Sequence, residues 1–377
     1  MSLKSKLGIR ENKKESDLKS VDYSLVVIIC MLLAFGLIMV FSASSANAHY
    51  VHGDATYFFK RQLIWAVVGV IVMWLVSRFP YKKLERYVNL LFTVTIIMLL
   101  LVPLIGIEVN GARRWLGFGS LTFQPSEFAK ITLVLFLAKS LVNNPHRIES
   151  LMDGYIRYVG IIGIVAGIVL IQPHMSGAMI IAISGCIVLF AAGFKLRYFG
   201  VSFLGALPLV YTLIMTSEYR RKRFTSFLDP FKDKMDESWQ IVQSLYAIAS
   251  GGLYGMGLGQ SRQKYLYIPE PQNDFIFAVI CEELGFLGAI FVMFLFALLI
   301  WKGIMIAKKA PDEFSALTAT GITAIIAVQV LMNIAVVTSS MPVTGVTLPF
   351  FSYGGTSLVI LLIGMGILLN ISRHVDK

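Results

Sequence analysis

The sequence predicts an all-α polytopic membrane protein, and three observations lead to this fold class. Of its 377 residues, 56% are hydrophobic and only 15% are charged, which is too little polar surface for a soluble protein of this length. Ten apolar segments have about the length that crosses a bilayer. The net charge of +11 comes largely from lysine and arginine in the connections, as expected where basic loops stay on the cytoplasmic side.

The ten predicted spans alternate with short polar connections. They cover residues 23–44, 58–77, 86–107, 124–142, 156–172, 175–194, 198–215, 276–304, 315–338 and 350–371. The basic residues orient both termini to the cytoplasm. Residues 1–21 then form a cytoplasmic tail and residues 22–377 a single transmembrane domain. The first apolar run is too long for a signal-peptide core, so we expect it to remain as an anchor.

One long connection, residues 216–273, separates the seventh and eighth spans on the extracytoplasmic side. It is too short for an enzymatic domain of its own and too rich in apolar residues for a disordered linker, so we expect it to cover the outer mouth of the bundle. Its glycines in GGLYGMGLGQS have P-loop spacing, but Leu258 stands where lysine is required. They predict tight turns and close backbone approach instead.

Composition and motifs exclude two further classes of function. Zinc-finger spacing, an RNP motif and an aromatic-interleaved basic stripe are all missing from the sequence, so nucleic-acid binding is not expected. Cys30, Cys186 and Cys281 are widely separated in or beside apolar segments, which indicates packing residues rather than disulfides or a metal site.

The connection before the fourth span, NGARRWLGFGSLTFQPSEFAK, concentrates charge at the outer side. Glu127 and Lys130 are three residues apart and share a helix face, either as an ion pair at the helix start or as an acid and an amine lining a polar cavity. Arg113 and Arg114 beside Trp115 suit a phosphate or pyrophosphate, because guanidinium groups bind such anions through two parallel hydrogen bonds.

Two other outer connections are polar. In QPHMSG, His174 lies in the turn between the fifth and sixth spans, where a structural role and a binding role are both open. The last connection, MPVTGVTLPFFSYGGTS, contains prolines and glycines that prevent a simple helix. Irregular backbone at this depth survives only against protein or a water-filled cavity, so this connection is either a re-entrant cap or part of a substrate site.

The segment PEPQNDFIFAVICEELG, residues 269–285, places three carboxylates beside a membrane span, where they are costly and usually functional. Glu282 lies about 12 Å further along the helix axis than Asp274, so the two are not a glycosidase-type pair. Asp274 suits a general base, a holder of a divalent cation beside a pyrophosphate, or a helix N-cap. Glu282 and Glu283 suit internal partners for basic groups.

Three of these segments together resemble the SEDS family, which comprises FtsW, RodA and SpoVE. They are the connection before the fourth span, the stretch from GGLYGMG through ICEELG, and the last connection, and the resemblance covers nearly the whole chain. The sequence PEPQNDFIFA resembles the FtsW/SpoVE branch of Gram-positive bacteria more than it resembles RodA. One departure is His174, where many members carry aspartate after the Gln-Pro.

The resemblance implies a peptidoglycan glycosyltransferase of the bacterial cytoplasmic membrane that polymerises lipid II at the outer face. It implies Asp274 as the essential catalytic acid, a class B penicillin-binding transpeptidase as partner, and other division or sporulation membrane proteins nearby. Whether the protein requires a divalent cation, Mg²⁺ or Mn²⁺, stays open, and no metal ligands are assigned. The candidate substrate-binding residues are Glu127, Lys130, Arg113, Arg114, Trp115, Lys264 and Ser352, and the candidate supporting residues are Glu282, Glu283, Gln240, Ser244 and His174.

Two rival functions fit the same composition. A lipid II flippase would place polar groups near the midplane between repeats, and Gln329 and Asn333 of the ninth span are the best candidates there. A non-catalytic scaffold for a penicillin-binding protein would explain the bundle but not Asp274. Roles in division, sporulation and elongation all stay open.

Overall fold

The computed structural model describes residues 21–109, 112–118, 121–231, 238–265 and 267–375, and within them the chain is almost entirely helical. The predicted N-terminal tail lies outside these residues except for Val21. A 3₁₀ turn, Pro145–Glu149, and a π-helical turn, Leu151–Ile156, precede α5. The helices are α1 (Tyr23–His52), α2 (Tyr57–Arg78), α3 (Tyr81–Ile105), α4 (Pro125–Asn143), α5 (Arg157–Ile171), α6 (Met175–Ala191), α7 (Leu196–Met215), α8 (Glu218–Leu228), α9 (Trp239–Gly251), α10 (Ile276–Lys308), α11 (Glu313–Val337) and α12 (Gly355–Ser372).

Seven helical segments in the described part of the chain are long and apolar enough to cross a membrane. They are α1, α2, α3, the segment Leu151–Ile171, α10, α11 and α12. The other three predicted spans coincide with α4, α6 and α7. The helical membrane fold is therefore confirmed, whereas the number of spans and their orientation stay predictions.

The connection between α3 and α4 is not helical but forms a small antiparallel sheet that the all-α prediction missed. Its strands β1 (Ile107–Val109), β2 (Ala112–Phe118) and β3 (Leu121–Phe123) pair in the order β1-β2-β3. Glu108 lies opposite Arg113, and Leu116 lies opposite Phe123. Because side chains alternate along a strand, neighbouring residues of β2 point to opposite faces of the sheet.

Helix α11 lies at the centre of the bundle. Its most apolar window is 72% buried, against 22% for α2 and for α3, which face outward. It packs against α4, α6, α10 and α12, while α12 packs along α2. Glycines allow the closest approaches: a side chain at Gly355 would collide with Trp65, and one at Gly366 would meet the backbone carbonyl of Met73 at 2.7 Å.

Helix α10 is interrupted at Gly285, whose φ of 67° and ψ of −167° are not helical. The loop after α9 fills this break with main-chain hydrogen bonds. The amides of Met256 and Gly257 each donate at 2.9 Å to the carbonyls of Glu282 and Glu283, and the amide of Phe286 donates to the Gly252 carbonyl at 2.9 Å. The close approach predicted for the loop glycines is therefore an approach to the bundle.

Candidate functional site

A cavity of about 1290 Å³ opens at the end of the bundle where α4, α8, α11 and α12 meet the irregular connections. Its wall combines residues from sequence segments far apart in the chain. The predicted site residues that line it are Arg114, Trp115, Glu127, Lys130, His174, Gln240, Asp274 and Ser352.

Asp274 lies in the turn before α10 and is held there through its backbone. Asn333 Nδ2 donates to the Asp274 carbonyl at 2.8 Å. Burial raises the pKa of the Asp274 carboxyl to about 6; the nearby Glu270 adds to this rise and the Arg223 guanidinium opposes it. The N-cap interpretation is wrong, because Phe275 occupies the cap of α10 and no side chain caps this helix. Asp274 thus presents a carboxylate of raised basicity to the cavity.

Glu127 and Lys130 are both buried, and both line the cavity. Lys130 Nζ lies 2.8 Å from Glu127 Oε1 and donates to Gln329 Oε1 at 3.2 Å. Ser357 Oγ donates to the other carboxylate oxygen of Glu127 at 3.0 Å. Glu127 and Lys130 therefore form an ion pair and also line the cavity, so both interpretations of the sequence apply. The pair links α4 to α11 and α12.

The two adjacent arginines of β2 do not act on the same space. Arg114 lines the cavity with Trp115 and donates a hydrogen bond to the Pro173 carbonyl. Arg113 points away and forms an exposed ion pair with Glu108 at 3.3 Å. The expectation that both guanidiniums face one anion is wrong, because Arg113 pairs with Glu108 outside the cavity wall while Arg114 lies within it.

His174 is buried in the cavity wall. Its Nδ1 lies 3.0 Å from Ser126 Oγ and 3.3 Å from Gln124 Nε2. Burial lowers the pKa of the imidazole to about 3, and the positive charge of Arg114 contributes to this shift. His174 is therefore a neutral hydrogen-bonding group at physiological pH.

Besides Arg113, four predicted site residues lie outside the cavity wall: Lys264, Glu282, Glu283 and Ser244. Lys264, predicted to bind substrate, is buried, and its Nζ lies 2.6 Å from the Gly259 carbonyl and 3.1 Å from Glu283 Oε1. The structure thus places Lys264 and Glu283 together as a loop anchor. Ser244 Oγ donates to the Val337 carbonyl at 2.8 Å.

Glu282 also differs from expectation, because its partners are not basic side chains. It accepts hydrogen bonds from Ser261 Oγ at 2.5 Å and from the amide of Arg262 at 3.0 Å. The carboxylate is fully buried, and these donors compensate for the loss of hydration. Glu282 therefore organises the loop backbone.

Sequence reasoning missed three arginines of the cavity wall: Arg61, Arg220 and Arg223. Arg223 Nη1 donates to the Val343 carbonyl at 3.1 Å. Arg220, Arg223 and Phe224 have the i, i+3, i+4 spacing of one helix face. That spacing within EYRRKRF is the sequence signal that could have revealed Arg220 and Arg223.

The described residues contain no group of three or more His, Cys, Asp or Glu side chains placed to hold a metal ion. Glu270 and Asp274 both line the cavity and interact electrostatically. Two carboxylates fall short of the six or more oxygens around Mg²⁺ or Ca²⁺. Any cation here would have to take further oxygens from water or from a bound ligand.

Residues 23–377 match the model of a family described as cell cycle proteins, FtsW/RodA/SpoVE. The chain is 45% identical over 360 residues to stage V sporulation protein E of Bacillus subtilis, with 94% of this chain and 98% of that protein covered. It is 42% identical over 362 residues to the probable peptidoglycan glycosyltransferase FtsW of Trichlorobacter lovleyi, with coverages of 96% and 95%.

Solved structures show the same fold. A chain from a peptidoglycan synthase complex that coordinates polymerization and crosslinking superposes with a TM-score of 0.81 at 30% identity, covering 94% of this chain and 98% of that one. The rod shape determining protein RodA of Thermus thermophilus superposes with a TM-score of 0.71 at 28% identity, with coverages of 95% and 98%.

Proposed function

Because the chain belongs to the FtsW/RodA/SpoVE family of multi-pass bacterial membrane proteins, we propose that it is a peptidoglycan glycosyltransferase that joins lipid II units into glycan strands. The observation that carries this proposal is the position of Asp274: a carboxylate of raised basicity faces a large cavity whose wall also contains several cationic side chains. These cations are Arg61, Arg114, Lys130, Arg220 and Arg223.

The chemistry requires a base and an anion site, and the cavity supplies both. Asp274 would remove the proton from a sugar hydroxyl as the oxygen attacks the anomeric carbon of the second sugar. The bond from that carbon to the lipid diphosphate breaks, and the diphosphate leaves with the electron pair. Guanidinium and ammonium groups would stabilise the negative charge of the leaving diphosphate.

We place the cavity on the extracytoplasmic side of ten spans, with both termini in the cytoplasm. The distribution of lysine and arginine supports this orientation, and each of the ten predicted segments coincides with a helix. The loop of residues 216–273 then contributes α8 and Asn273 to the outer mouth of the cavity.

A cation and a protein partner belong to the same proposal. Mg²⁺ or Mn²⁺ would bind Asp274 and Glu270 only together with oxygens of the lipid diphosphate, because the described residues place no third protein ligand close enough to these two carboxylates to hold the ion. A class B penicillin-binding transpeptidase is the proposed partner, supported by the similarity to a chain of a complex that coordinates polymerization and crosslinking.

The decisive experiment measures glycan strands made from labelled lipid II by the purified protein with its transpeptidase, with moenomycin present to silence contaminating polymerases. We expect polymer from the wild type and none from Asp274→Asn. This substitution removes a buried charge, so the variant should stay folded, which a thermal melt will verify. Equal polymer from both proteins would overturn the role of Asp274.

The same preparations separate the rival functions. If neither protein polymerises but the wild type moves lipid II across liposomes, the protein is a flippase. The midplane candidates for a transport site already have structural partners: Gln329 Nε2 donates to the Thr347 carbonyl at 3.0 Å, and Asn333 Nδ2 donates to the Val346 carbonyl at 2.6 Å. If neither activity is found, the remaining hypothesis is that the protein is a non-catalytic scaffold.

A further inference from the structure

A second cavity, of about 570 Å³, lies against the first and is separated from it by the chain just before Asp274. We call it the side cleft; it is formed by the end of α1, the start of α2, residues 268–273 and Tyr353. Pro269, Glu270, Asn273 and Tyr353 line both cavities. Its volume lies within the range of ordinary small-ligand sites.

The two cavities differ in charge. The first has five lysine and arginine side chains in its wall, whereas the side cleft has none among its described lining residues and only one carboxylate, Glu270. A diphosphate therefore belongs in the first cavity. The side cleft suits an uncharged ligand.

Aromatic rings form one wall of the side cleft. Phe58 packs edge-to-face against Tyr353, with ring centroids 5.0 Å apart. His52 stacks on Tyr57 at 3.7 Å and contacts the edge of Phe58 at 5.7 Å. These contacts fix the rings in place before any ligand arrives. Flat aromatic surfaces of this kind pack against apolar ligand faces, such as the C–H face of a pyranose ring.

Two amide residues of the loop, Gln272 and Asn273, line the side cleft together with these rings. Gln272 is buried, with 2% of its surface exposed, and the Tyr353 amide donates to its backbone carbonyl at 2.8 Å. Within the described residues, the side-chain oxygens of Gln272 and Asn273 have no hydrogen-bond partner. Buried acceptors are nearly always paired. Their position beside a cleft points to a ligand that donates hydrogen bonds.

We propose that the side cleft binds the N-acetylhexosamine sugars of the glycan strand, and this inference rests on the proposed polymerase function. A pyranose ring offers both an apolar face for the aromatic wall and hydroxyl or amide donors for Gln272 and Asn273. The strand lies in the side cleft, the lipid diphosphate in the first cavity, and the two substrates meet at Asp274.

The test uses a soluble fluorescent hexamer of β-1,4-linked N-acetylglucosamine and reads its binding by anisotropy. We expect Phe58→Leu and Gln272→Ala to raise the Kd at least tenfold, and strands made from lipid II to become several-fold shorter. Phe58→Leu keeps an apolar side chain of similar size, so it should remain folded. Tyr50→Ala is the matched control, because Tyr50 lies near the end of α1 close to the side cleft, is 77% exposed and lines neither cavity.

Unchanged binding and strand length in both variants would overturn this inference while leaving the polymerase intact. Equal loss of binding in Tyr50→Ala would also overturn it, since the probe would then bind outside the side cleft. If the wild type binds the hexamer through Phe58 and Gln272 but forms no polymer, the saccharide site stands and the proposed enzymatic function fails.

Discussion

Ser352 Oγ donates a hydrogen bond to the backbone carbonyl of Asn273 at 2.5 Å, and this bond ties the last connection of the chain to the residue before Asp274. The same hydroxyl accepts from the Leu348 amide at 2.7 Å. Asn333 holds the next carbonyl, that of Asp274 itself. The position of the acidic side chain is thus set by two residues that follow it in sequence by dozens of positions.

We expect Ser352→Ala to lower kcat for polymerisation about tenfold and to change KM less than twofold, because a displaced base affects the chemical step more than binding. Steady-state kinetics with lipid II will check this split. Ser184→Ala is the control, since it removes a buried hydroxyl that bonds only within α6. A rise in KM at constant kcat would instead make Ser352 a substrate-binding residue.

The pH dependence should report the ionisation of Asp274. Because burial raises the pKa of this carboxyl to about 6, the base is protonated below that pH and polymerisation should increase as pH rises through 6. An imidazole would ordinarily titrate in this range, but the pKa of His174 is lowered to about 3. His174→Asn should therefore show the same rise of polymerisation rate as pH increases through 6, which is the acidic limb of the pH–rate profile. Loss of that limb in this variant would reassign the titrating group.

Because Glu127 and Lys130 form a buried ion pair, we expect replacing Lys130 alone to cost far more unfolding free energy than replacing both residues. Lys130→Met leaves the Glu127 carboxylate buried without its cation, which should cost about 3 kcal/mol or more of unfolding free energy. The double variant Glu127→Gln/Lys130→Met removes both charges and should recover most of that loss. Denaturation in detergent will measure the cycle, and additive effects of the two substitutions would contradict this coupling.

The hydrogen bonds that Glu282 accepts from the loop predict that substituting this residue will loosen the loop locally. Glu282→Gln presents an NH₂ group to donors such as Ser261 Oγ and the Arg262 amide, so hydrogen bonds worth about 2 kcal/mol each should weaken. Amide hydrogen exchange should accelerate in residues 257–264, with α11 unaffected. The matched substitution Glu313→Gln, at the start of α11, should leave exchange in the loop unchanged.

The fold was predictable because the length of each apolar segment and the charge of each loop can be read from one stretch of sequence, without knowing which residues meet in space. Asp274 and the Glu127–Lys130 pair were also predictable, since charged groups beside apolar runs are few. The opposite placement of Arg113 and Arg114 was not, because it depends on β2, a strand inside an otherwise helical chain. Lys264 was misplaced for a related reason: its partner Glu283 is reached only through the break at Gly285.

That break also limits how family members can exchange parts. Segment 252–257 completes the main-chain bonding of α10, so a chimera that swaps only the loop keeps these bonds only if the incoming loop brings its amides and carbonyl to the Glu282 and Glu283 carbonyls and the Phe286 amide. The smallest module that recombination can move intact runs from the start of α9 past Leu287, whose amide also bonds back to Leu253. We therefore expect chimeras to fold most reliably when loop and helix are exchanged together.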